Sequence, residues 1–493
     1  MATDVSVTDR GHDANPPSAT PPSATRRYGR ALAIALPILL VLVAGTLRFY
    51  RLGEPERLYF DETYYARDAR EFLSRGVESE FAVHPPVGKW LLAGGIAVFG
   101  YDSFGWRAGA ALAGTLTVLM IYLTGLRLFR RRGVAALAAL LLTVEGLAFT
   151  MSRIAMLDVF LSLFVATGFW LLLVDREQQW AGVDALAPEP GEQRALPQRS
   201  HVARWLAGLA FGLALATKWS AVLAIGAAGL FVLVSELAWR RRITGRWFVR
   251  PERIVGSGLA TLVALPVAIY LLSYAGWFAN YEDTRLGQER CPDAECTGVT
   301  AGDIAAAWVE EQGQIADFHR SLEVDHPYRA PATTWLLMTR PVAYYFESCD
   351  DPDNPPEGGC MVAEGNVAEI LGVGNPAIWW MALLAYPVTG YLVIARRDWR
   401  SAAILGFLLL QSMPWLVTPR PVFLFYMTPA VPFMCLALAA TAGRALRVES
   451  LRWVPAVVAI LAVGAFLFMF PVYVGQEISR AVWDLRILMD SWI

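Results

Sequence analysis

Eleven apolar stretches, divided by arginine clusters at every second gap, constrain this sequence more than any single motif does. They lie near 31–47, 108–126, 134–150, 155–174, 203–217, 219–238, 254–275, 376–395, 401–417, 421–442 and 454–473. Each approaches the roughly 17–25 apolar residues that cross a bilayer as a helix. The chain is 56% hydrophobic and 17% charged, whereas soluble domains carry about 25% charge. The predicted fold class is therefore an all-α polytopic membrane protein with about 11 transmembrane helices. The basic clusters are Arg26, Arg27 and Arg30; Arg127 and Arg130 to Arg132; Arg176, Arg194, Arg199 and Arg204; Arg240 to Arg242 with Arg246, Arg250 and Arg253; Arg396, Arg397 and Arg400; and Arg444, Arg447 and Arg452. Under the positive-inside rule all of them are cytoplasmic, so the N-terminus is inside and the odd count leaves the C-terminus outside. One missed span would put every later cluster on the wrong face.

This topology leaves two sizeable outer segments, 48–106 and 276–374, and chemistry is expected there. Residues 1–25, rich in Pro, Ser and Thr, read as a disordered cytoplasmic tail. Residues 26–475 form the expected catalytic membrane domain, and 476–493 an extracytoplasmic C-terminal tail. The stretch 31–47 has a basic flank like that of a signal peptide, but Arg48-Phe49-Tyr50-Arg51 after it offers no small-residue cleavage pattern. No internal repeat is evident, which disfavours an inverted-repeat transporter. Four of the five cysteines fall in the second outer segment, and the simplest disulfides are Cys291 with Cys296 and Cys349 with Cys360. A zinc site is the alternative, although the spacing is not C-x2-C; Cys435, inside a span, reads as core.

Just past the first span, Phe60-Asp61-Glu62-Thr63-Tyr64 places two adjacent carboxylates at a membrane surface. Lysine usage supplies a second clue. Only Lys89 and Lys218 are lysine among 42 basic residues, and a compact ammonium on a flexible stem is no substitute for a guanidinium fork. Lys89 ends His84-Pro85-Pro86-Val87-Gly88-Lys89, a turn that cannot continue a helix and that precedes an amphipathic stretch, 90–99, along the outer face. His84 is open between general base, phosphate donor and turn residue, with positioning the simpler role. Lys218 interrupts two apolar stretches, where a cation is costly unless it faces a cavity or an anion; a lipid phosphate is the obvious partner, and snorkelling to the interface the plainer one.

Arg153 and Asp158, between the third and fourth spans, lie close to the hydrocarbon and suggest either a phosphate-binding Arg oriented by an Asp or an ion pair with each other. Arg107 enters the second span and is placed to neutralise Asp61 or Glu62. His326-Pro327-Tyr328-Arg329, Trp335, Arg340, Tyr344 and Tyr345 form a loop rich in aromatics and cations, and Arg420 sits between two prolines at the outer end of the tenth span. Trp and Tyr at such depths are commonly interfacial, so the cations carry more information.

Taken together, Phe60-Asp61-Glu62 with Tyr64, the His84 to Lys89 turn, Ser152-Arg153-Ile154 to Asp158, Lys218-Trp219, Gly374-Asn375-Pro376 with Trp379 and Trp380, and the run Arg420 to Pro432 resemble the protein O-mannosyltransferase family of GT-C glycosyltransferases. The resemblance covers about residues 45–440 and suggests a compact bacterial, actinobacterial-type member, because 276–374 has no room for the eukaryotic β-trefoil domain. It implies transfer of mannose from polyprenyl-phosphate-mannose to Ser or Thr of secreted or membrane proteins on the outer face, with inversion. Direct displacement needs a base on the acceptor side and charge stabilisation of a phosphate on the leaving side. Asp61 is the candidate base, and Glu62 is expected to orient the acceptor or Asp61, or to exchange roles with it. Arg153, Lys218 and Arg420 are candidates for the lipid phosphate, Arg107 for holding the carboxylates, and His84, Lys89, Asp158 and His326 complete the expected substrate site. No divalent metal is expected to be obligatory, since fixed cations suffice for a monophosphate, although an Asp-Glu pair also suits a metal. The translocon is a plausible partner and nucleic acid is not. The rival readings are a GT-C enzyme acting on a lipid or cell-wall polysaccharide, and a lipid or sugar transporter.

Overall fold

The computed structural model describes residues 24–81, 83–181, 183, 196, 200–291, 296, 298–321, 326–349 and 361–493. The predicted tail therefore lies, through residue 23, outside the described residues, and a helix, α1, runs Ala24–Phe49. Two helices, α2 (Glu62–Arg75) and α3 (Val87–Phe99), occupy the first outer segment. The bundle continues with α4 (Ser103–Phe129), α5 (Arg132–Thr143), α6 (Gly146–Met151), α7 (Asp158–Trp180), α8 (Val202–Leu215), α9 (Ala221–Thr244) and α10 (Pro251–Ser273). After the second outer segment, which contains α11 (Ala301–Ser321), come α12 (Pro376–Arg396), α13 (Trp399–Ser412), α14 (Val431–Ala445) and α15 (Val454–Val474). Every predicted span thus contains a helix, but only six helices among the described residues are long and apolar enough to cross a membrane by themselves.

The helices pack through small residues. A Cβ at Gly208 of α8 would lie 2.0 Å from the Thr261 carbonyl oxygen of α10, so glycine permits the backbone approach that replaces a hydrophobic driving force in lipid. The third predicted span is broken between α5 and α6 by Glu145, which is fully buried. Its carboxylate accepts from the N–H groups of Ala148 at 2.7 Å and Asn375 at 3.1 Å and from Trp379 Nε1 at 2.8 Å. Asn375 in turn caps α12 through Ala377 N–H at 3.0 Å and donates to the Val144 carbonyl at 2.8 Å. Gly374-Asn375-Pro376 and Trp379 therefore form a structural knot that satisfies the broken helix ends.

A three-stranded antiparallel sheet interrupts the all-helical expectation: β1 (Val342–Ser348), β2 (Asn366–Gly372) and β3 (Ile478–Ser479), in the order β1-β2-β3. Val-Ala-Tyr-Tyr-Phe in β1 carries the aromatic and β-branched residues that fit a pleated surface. The C-terminal residues join it, since Trp483 Nε1 donates to Glu369 at 2.6 Å and Trp492 Nε1 to the Met338 carbonyl at 2.6 Å. The expected tail is thus a folded edge of the second outer segment. Cys291 and Cys296 form the predicted disulfide; Cys349 is disulfide-bonded as well, while Cys360 lies outside the described residues.

Charge sorts along the bundle axis. Asp158 opens α7 and Arg176 lies near its far end, 18 residues or about 27 Å away at 1.5 Å per residue. Arg204 near that far end binds Asp175 and Glu236, each at 2.7 Å.

Candidate active site

Six chain segments meet at the end of the bundle opposite the arginine clusters. Asp61 precedes α2, His84 precedes α3, Asp158 begins α7, Lys218 lies between α8 and α9, His319 lies in the last turn of α11, and Arg420 with Tyr426 lies between α13 and α14. Pro85 and Pro86, which have no N–H to donate, lie just before α3, where the first turn leaves backbone N–H groups without intrahelical partners, so the missing donors cost little. The Val87 N–H donates to the Ala216 carbonyl at 3.0 Å. A Cβ at Gly88 would meet Leu157 Cδ2 at 2.8 Å and Thr217 Cγ2 at 3.0 Å, so glycine lets this turn press against the residues preceding both Asp158 and Lys218.

Asp61 is aimed by Phe60, whose φ of 54° is left-handed, a conformation costing a non-glycine residue about 1–2 kcal/mol. Packing holds it: the Phe60 ring meets Tyr344 edge-on at 4.9 Å and Phe425 at 6.1 Å. The sheet thereby supports the carboxylate. Asp61 is half-buried and lines a cavity of about 600 Å³ together with Tyr65, His326 and Phe423. Its carboxylate has no hydrogen-bond or ion-pair partner among the described residues. Burial pushes its pKa up to about 6, against the pull of Lys218 and with a smaller push from Asp158.

A second cavity, of about 220 Å³ and lined by Asp158, Trp219, Gln411 and Trp415, adjoins the first. His84, Lys218, His319, Arg420 and Tyr426 line both, forming a shared cationic wall. Lys218 Nζ donates to both oxygens of Asp158 at 2.9 Å, which leaves one of its three N–H groups uncommitted. Arg420 donates from Nη1 to His319 Nδ1 at 2.8 Å and from Nη2 to the Tyr426 hydroxyl at 2.8 Å, while its buried Nε has no partner. His319 Nε2 lies 3.1 Å from the Val83 carbonyl. That assigns the neutral tautomer with Nε2–H donating and Nδ1 accepting. Burial and the Arg420 charge both lower the His319 pKa in agreement. His84 stacks on His319 at 5.5 Å, is held neutral by burial and then by Lys218, and its Nδ1 has no partner.

Several sequence expectations are corrected here. Glu62 does not line the larger cavity. It is fully buried, bound by Arg107 Nε and Nη2 at 2.9 and 3.0 Å, and accepts from the Ala155 N–H at 2.9 Å. Arg107 spends its remaining donors on the carbonyls of Leu52, Pro55 and Arg57, between 2.9 and 3.1 Å; of the two carboxylates it was expected to neutralise, it takes Glu62. Arg153 neither pairs with Asp158 nor lines either cavity. It satisfies the carbonyls that end α1, Arg48 at 2.8 Å and Tyr50 at 2.6 Å among them. Lys89 lines the larger cavity but is committed to Asp68 at 3.1 Å and to Glu78. His326 lies on the cavity wall, stacked edge-on against Phe423 at 5.1 Å.

Comparison with known proteins accords with this architecture. Residues 38–106 and 102–281 match the family described as dolichyl-phosphate-mannose-protein mannosyltransferase, and residues 304–492 match the C-terminal four-transmembrane region of protein-O-mannosyltransferase. The polyprenol-phosphate-mannose–protein mannosyltransferase of Mycolicibacterium smegmatis is 33% identical, covering 97% of this chain and 96% of the relative. The chain belongs to the protein O-mannosyltransferase family. Other family members are similar too: the Mycobacterium tuberculosis enzyme of the same name is 33% identical over 92% of this chain and 91% of its own, and that of Corynebacterium glutamicum 29% identical over 88% of each. The protein O-mannosyltransferase Pmt1-Pmt2 complex of S. cerevisiae, bound to its sugar donor, shares the fold with a TM-score of 0.75 at 14% identity, covering 93% of this chain and 92% of that one. ArnT of Cupriavidus metallidurans bound to undecaprenyl phosphate gives 0.55 at 16% identity, covering 90% and 77%. The GT-C fold is thus shared with both. For this O-mannosyltransferase-family site, sequence reading missed His319 and Tyr426. Histidine occurs only five times in the chain, and its scarcity was the available signal for His319.

Proposed function

We propose that this glycosyltransferase transfers mannose from polyprenyl-phosphate-mannose to Ser or Thr hydroxyls of secreted or membrane proteins, at the extracytoplasmic face of the cell membrane, with its N-terminus cytoplasmic. One observation carries the reading: an unpaired carboxylate, Asp61, in a roomy cavity that shares a wall of lysine and arginine with a narrower one. The acceptor enters the larger cavity, and the lipid phosphate lies in the narrower one against Lys218 and Arg420. Asp61 takes the hydroxyl proton as the acceptor oxygen bonds to the anomeric carbon from the face opposite the phosphate. The bond from that carbon to the phosphate oxygen breaks, and the configuration inverts. The donor is a phosphodiester monoanion and the product a phosphate monoester that can carry a second negative charge. The free N–H of Lys218 and the open donors of Arg420 meet that developing charge. His319 keeps the guanidinium turned toward the wall and acts as a positioning residue.

Among the described residues the carboxylates lining the two cavities are Asp61, Asp68 and Asp158; Asp158 is neutralised by Lys218 and Asp68 by Lys89. This supports catalysis without an obligatory divalent ion, because fixed cations already face the phosphate. Acceptor hydroxyls are most accessible before folding, which is the reason to include the translocon in this proposal as a neighbour. The test is transfer of labelled mannose from polyprenyl-phosphate-mannose to a Ser/Thr-rich peptide by the purified protein in EDTA. Peptide labelling is expected. Labelling restored only by added metal overturns the metal independence, and labelling of lipid or polysaccharide but not peptide overturns the acceptor.

A further inference from the structure

The bundle carries another polar cavity at the end away from Asp61. Its volume is about 680 Å³, within the range of about 300–1,000 Å³ common for small-molecule sites. Six guanidinium groups border it: Arg130 and Arg131 between α4 and α5, Arg396 and Arg400 around the α12–α13 turn, and Arg444 and Arg447 at the end of α14. Among the described residues a single carboxylate, Asp398, lines it, and Arg444 holds that group at 2.5 Å. Arg130 is shared with Glu177 at 3.4 Å. Arg131, Arg396, Arg400 and Arg447 have no carboxylate at ion-pair distance among the described residues, and Arg400 Nε is sealed from solvent without a hydrogen-bond partner. The remaining wall is apolar, including Leu128, Phe129, Val134 and Leu392.

Arginines that only orient the chain need lie on the correct side of the membrane. Nothing in that role gathers three separate turns around one concavity, where like charges repel. An anion relieves the repulsion. The planar forks match phosphate oxygens in pairs, and the apolar wall beside them matches an acyl chain rather than water. We propose that this cavity binds the headgroup of an anionic phospholipid, with its phosphates among the arginines and part of a chain along the apolar wall. The shared chemistry with a free anion is phosphate; the apolar wall assigns the lipid as its carrier. The site is independent of the mannosyl-transfer reading, since it lies at the other end of the bundle.

The test uses the full chain in neutral detergent, titrated with cardiolipin, phosphatidylglycerol, phosphatidylcholine or inorganic pyrophosphate, and read by native mass spectrometry and thermal shift. Wild type is compared with Arg131→Gln/Arg396→Gln/Arg447→Gln and with Arg246→Gln/Arg253→Gln, whose arginines belong to the same end but not the cavity. The anionic lipids are expected to bind and raise the melting temperature, with phosphatidylcholine inert. The triple variant should bind them on the order of a hundredfold more weakly, roughly fivefold per arginine near an anionic headgroup, and the control double variant should bind as wild type does. Should the triple variant fail to fold, the exposed single change Arg447→Gln should still weaken binding about fivefold. Equal loss in the control variant, no preference over phosphatidylcholine, or the same shift from pyrophosphate at equal concentration overturns the proposal.

Discussion

Replacing Asp61 by Asn should abolish transfer and yet stabilise the protein at neutral pH. Burial raises the Asp61 pKa from 3.8 to about 6, so the unfolded chain loses this proton at lower pH than the native one. A raised pKa means that the group's contribution to stability is full below pH 3.8 and is lost as pH rises through about 6. The difference between 3.8 and about 6 corresponds to about 3 kcal/mol, an upper value because a half-buried carboxylate keeps some water. Asn keeps the shape without the charge. Its melting temperature should exceed that of wild type at pH 7.5, and the gap should narrow toward pH 5. Activity runs the other way, because the base must be ionised: wild-type kcat/KM should fall about tenfold between pH 7 and pH 5, with the limb reporting the free enzyme. Loss of a positioned general base costs about 10²–10⁴ in rate. The assay is labelled-mannose transfer across pH 5–8, with melting followed by intrinsic fluorescence. A variant within tenfold of wild-type transfer, or a wild-type profile flat from pH 5 to 7.5, refutes the assignment of Asp61 as base.

Lys218→Met removes the charge that holds the Asp61 pKa down, so the acidic limb should move to higher pH and the donor KM should rise; an unmoved limb separates Lys218 from the reaction. Glu62→Ala should have the opposite thermal effect from Asp61→Asn, lowering stability by about 3–5 kcal/mol because it leaves Arg107 buried and unpaired, and an unchanged melting temperature in detergent contradicts that. His319→Ala should raise the donor KM with little change in the pH limb, while His319→Gln, whose carbonyl oxygen can still accept from Arg420, should recover most of the loss; equal defects in both variants argue against a positioning role.

Adjacent carboxylates with opposite fates show where sequence reading stops. Asp61 and Glu62 were legible as a pair, but a helical chain turns about 100° per residue, and only packing decides which side chain meets Arg107 and which meets the cavity. The same holds for the cations. Arg153, Arg107 and Lys218 all stood out as charges near hydrocarbon, yet Arg153 closes the end of α1, Arg107 binds Glu62, and Lys218 alone of the three reaches the shared wall. Lys89 was flagged by its rarity, and its partners Asp68 and Glu78 show that rarity marked a buried ion cluster bordering the site.

What the sequence determined by itself rests on local, additive quantities. Apolar runs and alternating arginine clusters depend on transfer free energies summed over neighbouring residues, so the helical bundle and the segregation of charge to its two ends could be read without coordinates. The pairings could not, because they join residues far apart in the chain: Glu62 with Arg107 across 45 positions, Asp158 with Lys218 across 60, and His319 with Arg420 across 101. A buried charge is stable only with its counter-charge in place, and which distant segment supplies that partner is settled by how the helices pack. Tertiary structure therefore decided which of the candidate residues face the cavities and which hold the walls together.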